Sequence, residues 1–148
     1  MNALEISIAN RQSCLPVHES RLRKVLRSIF REAGISSGEI SVAIVDDATL
    51  HQLNREFLDH DYPTDVISFV LDREENALFG EIIASADYAA AEAVRHNWPA
   101  EDELLLYLAH GALHLVGYDD TSPEAALLMR AREREVLAKF GLVPPGRE

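Results

Sequence analysis

Between Glu101 and Val116 the chain reads EDELLLYLAHGALHLV. Three acids open the run, no proline interrupts it, and from Leu104 onward a helical wheel is apolar on nearly every side, His110 and His114 excepted. A helix of this kind is stable only when other layers cover it, so the sequence requires a fold wrapped around a central helix. The run is too short to cross a bilayer and is broken by two histidines, so no membrane partner is expected.

The remaining residues supply the layers. Leu4 to Ala9 alternates, with Leu4, Ile6 and Ile8 on one face, and reads as a strand. Further strands are expected over Glu39 to Val45, Val66 to Val70 and Gly80 to Ser85, with a turn around Pro63 ahead of the third. Helical spacing runs from about Val17 to Ala33 and ends at Gly34. A helix capped by Asp46 or Asp47 continues to Leu58, one from Asp87 to His96 stops before Pro99, and a last one spans Pro123 to Phe140 before Gly141. In 148 residues these elements predict one α+β domain, 1–148, with a mixed sheet of about four strands and about five helices around the buried histidine-bearing helix.

A single cysteine, Cys14, allows no internal disulfide and fits a reducing cytoplasm. The opening MNALEISIAN lacks a basic region followed by an apolar core, so no secretory signal is expected. A net charge of −11 argues against broad contact with nucleic acid, but the charge is unevenly placed. RLRKVLRSIFR, 21 to 31, holds five of the 14 cations and none of the 25 acids. Within it Arg23, Arg27 and Arg31 share one helix face, which is either a solvated surface or the place where a polyanion docks.

HGALHLVGYDD, 110 to 120, carries the most chemistry. His110 and His114 lie one turn apart and can converge on one ion, or can be two core histidines satisfied by hydrogen bonds. A catalytic zinc needs a third ligand and an open position. Gly117 can reverse the chain and bring Tyr118-Asp119-Asp120 back over the histidines, which leaves either aspartate as the third ligand. Ser122-Pro123-Glu124 already provides the next helix with a cap, a first-turn proline and an acid, so Asp120 is free of that duty.

This stretch resembles the signature of the YbeY family of bacterial rRNA-maturation endoribonucleases. LNREFLDHDYPTDVISF, 53 to 69, and GEI, 80 to 82, resemble further family elements in the same order and spacing. The resemblance implies one zinc ion, with the family's first two zinc histidines on His110 and His114 and its third on Asp120. A carboxylate there departs from the family, although zinc accepts it in mixed sites. The family's catalytic arginine falls on Leu58, a second departure, for which Arg55 one turn earlier is the candidate replacement.

The activity so implied is a cytoplasmic, single-strand-specific endoribonuclease in 16S rRNA 3′-end maturation and late ribosome quality control. Its partners would be single-stranded rRNA and the ribosome or small-subunit precursors, with Arg23, Arg27 and Arg31 as the RNA-facing residues. Two rivals remain. HxxxHxxGxxD has the ligand spacing of metzincin metallopeptidases, but Gly111 stands where those enzymes carry their glutamate base. The other rival is a non-catalytic ribosome-assembly factor with a structural metal.

Overall fold

The computed structural model describes residues 3–58 and 66–145, within which the side chains of 54 and 56–58 are not described. The turn expected around Pro63 and the Leu58 side chain lie outside the described residues. In chain order the elements are β1 (Leu4–Asn10), α1 (Glu19–Glu32), β2 (Ser37–Val45), α2 (Asp47–Leu58), β3 (Val66–Glu74), β4 (Ala77–Ser85), α3 (Ala86–His96), α4 (Ala100–Leu115) and α5 (Pro123–Ala138). The strands form one sheet in the order β1-β2-β4-β3, parallel at β1/β2 and β2/β4 and antiparallel at β3/β4. The expected α+β mixed sheet with five helices is what the chain forms.

Strand alternation splits the apolar residues between two faces. Leu4 and Ile6 of β1, Ile40, Val42 and Ile44 of β2, and Leu78 and Ile82 of β4 join the main core under α1, α3, α4 and α5. Val45, Ile67 and Ile83 point to the opposite face and meet Leu50 of α2 in a smaller cluster. On that face Glu39 and Ser41 lie exposed, so only part of it is covered by helix. Helix α4 packs against α1, α3, α5, β3 and β4, the burial its composition demands.

Three boundaries differ from expectation. β3 and β4 extend to Glu74 and back to Ala77, so a charged hairpin lengthens both strands, with a register shift at Val70/Asp72. Residues 70–76 are exposed, and burial therefore imposes no hydrophobic pattern there. The first helix starts two residues later than expected, at Glu19. Asp46 caps α2 through a 2.7 Å bond from the Thr49 amide. The Thr49 hydroxyl and amide together hold the Asp46 carboxyl below its ordinary value.

α4 lies close against the sheet at Gly111. A β-carbon there would stand 2.8 Å from Ile82 Cγ2 and 3.4 Å from Val66 Cγ2, and Ile82 is fully buried. Gly111→Ala gains about 1 kcal/mol of helix propensity but overpacks the core at a cost of about 1–3 kcal/mol. The expected result in urea denaturation is a net destabilisation. A variant at least as stable as the native chain would contradict this close approach.

Candidate metal centre

The end of α4 is built by its glycine. Val116 closes the helix, Gly117 takes φ +110°, and the Tyr118 amide returns to the Leu113 carbonyl at 3.0 Å while the Gly117 amide reaches His114 O at 3.1 Å. This pair of bonds is a Schellman closure, which only glycine enters without strain. The reversal sets the Tyr118 carbonyl 3.0 Å from His114 Nδ1, so that nitrogen must donate. His110 Nδ1 lies 2.9 Å from a carboxylate oxygen of Glu133 on α5, a side chain only 8% exposed. It too donates, and both imidazoles are left with Nε2 lone pairs.

Those lone pairs face each other. The two Nε2 atoms are 3.1 Å apart, with the rings nearly perpendicular at 85°. Asp120 Oδ2 lies 3.6 Å from His110 Nε2 and 3.8 Å from His114 Nε2. With both rings neutral, three acceptor atoms converge with no donor among them, a repulsion that a shared proton or a metal cation removes. A point equidistant from such a trio is roughly 2 Å from each, a bonding distance for a transition metal such as zinc. The triad is partly exposed, as a site that takes substrate must be.

The two aspartates divide the work. Asp119 Oδ1 accepts from the Thr121 amide at 3.2 Å and its hydroxyl at 2.9 Å, an Asx turn that occupies it locally. Asp120 is thereby the one that faces the histidines. Ser122 caps α5 through the Ala125 amide at 3.1 Å, as its sequence suggests, so the cap makes no claim on Asp120.

The remaining expected residues lie elsewhere. Arg55 is exposed on α2, a helix packed on the other face of the sheet from α4. Arg23 Nε donates to the Ile6 carbonyl at 3.0 Å and Arg27 to the Leu4 carbonyl at 2.9 Å, so both cover the outer edge of β1. Arg21 pairs with Glu101 at 2.9 Å and Asp102 at 2.6 Å. Much of the basic segment therefore holds α1 to β1 and α4, while Arg31 stays exposed. Glu133 went unseen at the sequence level. It sits at helical spacing between Met129 and Val136, both buried, and an acid on an apolar stripe was the available signal.

Gly111 also bears on the peptidase rival. Its Cα faces Ile82 in the sheet, so a glutamate at that position would have no room.

The sequence profile of Endoribonuclease YbeY matches residues 7–141. Relatives called Endoribonuclease YbeY include one from Rhodopirellula baltica, 42% identical over 134 residues, covering 89% of this chain and 69% of the relative. Another, from Syntrophotalea carbinolica, is 40% identical over 142 residues, covering 91% and 95%. A solution structure of a Thermotoga maritima protein superposes with a TM-score of 0.61 at 27% identity, covering 97% of this chain and 99% of that one.

A buried carboxylate that orients a ligating imidazole affects metal affinity without touching the metal. Glu133→Gln is expected to weaken zinc binding by about 10- to 100-fold, measured by competition with a chromogenic chelator. An unchanged affinity would mean that Glu133 does not set the orientation of His110.

Proposed function

The chain belongs to the YbeY endoribonuclease family, and from that premise we propose that it is a zinc-dependent hydrolase that cuts single-stranded RNA internally. The observation that carries this reading is the convergence of His110, His114 and Asp120 acceptor atoms with no donor between them. These three residues would hold one zinc ion, which when bound supplies Lewis acidity toward a phosphate oxygen and lowers the pKa of a coordinated water. Glu133 and the Tyr118 carbonyl keep both Nε2 atoms in their accepting form by accepting hydrogen bonds from the two Nδ1–H groups. Asp120 brings a negative charge, so the water should be less acidic than in an all-histidine site.

The finer assignment is to 16S rRNA 3′-end maturation and late quality control of small-subunit precursors in the cytoplasm. Arg55, the candidate read from the sequence, lies on α2 across the sheet from α4, so it is not assigned to a phosphate at the triad, and no residue is named for the role of the arginine that Leu58 displaces. RNA is proposed to track the α1 face. Arg23, Lys24, Arg27 and Arg31 line a shallow groove there, and guanidiniums tied by one or two bonds retain donors for phosphate. Among the described residues no helix is long and apolar enough to cross a membrane, consistent with a substrate reached from water.

Cleavage of a labelled single-stranded RNA by zinc-loaded protein tests the reading. Asp120→Ala should lower zinc affinity by at least about tenfold and abolish cutting, and Asp120→His should retain the metal. Asp119→Ala should hold zinc within about twofold of the native protein, because its carboxylate serves the Thr121 turn. Zinc retained by Asp120→Ala and lost by Asp119→Ala would reverse the assignment. Intact RNA after incubation with the native, fully loaded protein would leave the non-catalytic assembly factor as the better account.

A further inference from the structure

His110 and Asp120 also form one wall of a cavity of about 250 Å³. Tyr107 of α4 and Met129 of α5, both buried, give it an apolar floor, the buried Glu133 lines it beside His110, and Pro144 borders it from the segment after α5. At the solvent side stand Arg130 and Arg134, one turn apart on α5 and both exposed. Neither guanidinium has a carboxylate partner among the described residues, whereas Arg132 between them on the same helix pairs with Glu32 and with Glu135. In a chain of net charge −11, this is a place where cations are kept available beside the metal triad.

We propose that this cavity seats one nucleobase of the RNA next to the phosphate held at the triad, a subsite that rests on the nuclease reading above. A nucleobase has apolar faces and a polar edge, which matches buried Tyr107 and Met129 below and guanidinium planes at the rim. The volume lies below that of pockets for larger ligands and suits one ring system, not a stacked pair. A base can enter only by leaving its stack, which a single strand does readily and a paired base does at the expense of its partner. Selectivity for single strands then comes from the shape of this cavity and not from the metal.

Calorimetric binding of small probes to the zinc-loaded protein tests this without relying on catalysis. Uridine or adenosine 5′-monophosphate should bind about tenfold or more tightly than ribose 5-phosphate, the difference being the base. Ala126, half-buried in the cavity lining, offers a way to fill it. In Ala126→Phe the nucleotide should fall to the level of ribose 5-phosphate, while affinity for zinc and for ribose 5-phosphate stays unchanged. Exposed Arg130→Ala, a surface change that leaves the core intact, should lose part of the same advantage. Equal binding of nucleotide and ribose 5-phosphate by the native protein would overturn the subsite, as would an advantage that survives in both variants. Tighter binding of a leucyl dipeptide than of either nucleotide would reassign the cavity to a peptide side chain. Should the nuclease reading alone be wrong, the nucleotide advantage would persist in a protein that leaves RNA uncut.

Discussion

Two imidazoles one turn apart in a helix covered on nearly every side must each be given partners, and the rest of this structure is arranged around that requirement. Each ring has two nitrogens to satisfy. The inner ones are met by the Glu133 carboxylate and the Tyr118 carbonyl, which fixes the outer ones as acceptors. Two neutral imidazoles with nitrogens 3.1 Å apart, joined by a carboxylate oxygen, have no hydrogen-bonding solution among themselves, and a proton or a metal cation between them relieves the repulsion. The buried body of α4 thus holds the two rings in register at its partly exposed end, where the three converging atoms favour a shared cation.

The fold meets that demand with local devices. Gly117 turns the chain where α4 ends, the Schellman bonds fix the angle of the turn, and the Asx turn at Asp119 leaves Asp120 directed at the histidines. Gly111 lets the same helix lie against Ile82, which steadies the base of the site. α5 then contributes both Glu133, behind the triad, and the two arginines in front of it. A single helix so placed carries both the carboxylate that orients His110 and the arginines at the rim of the neighbouring cavity.

Much of this was legible in the sequence because it is written in local chemistry. Histidines at i and i+4, a glycine at a helix end, and a serine-proline start to the next helix each act within a few residues. The structure realises all three. What could not be read depends on partners distant in sequence. Glu133 acts on His110 across 23 positions, and its place on the apolar stripe of α5 marks it as buried without naming its partner. The arginines of α1 read as a free cationic stripe because the carbonyls of Leu4 and Ile6 become outward-facing only once β1 is an edge strand. The sequence pattern stops short of the β3/β4 hairpin for a related reason. Its exposed, charged residues pair through the backbone, which imposes no side-chain pattern.

The central claim is that a buried helix presents two histidine nitrogens and one carboxylate to a single ion. X-ray absorption at the zinc edge of the purified, zinc-reconstituted protein measures this most directly. The account predicts one zinc per chain, with two imidazole nitrogens and light oxygen neighbours at about 2.0–2.1 Å and no sulfur. A spectrum dominated by sulfur or lacking histidine scattering, or a protein that retains no zinc after reconstitution, would contradict it.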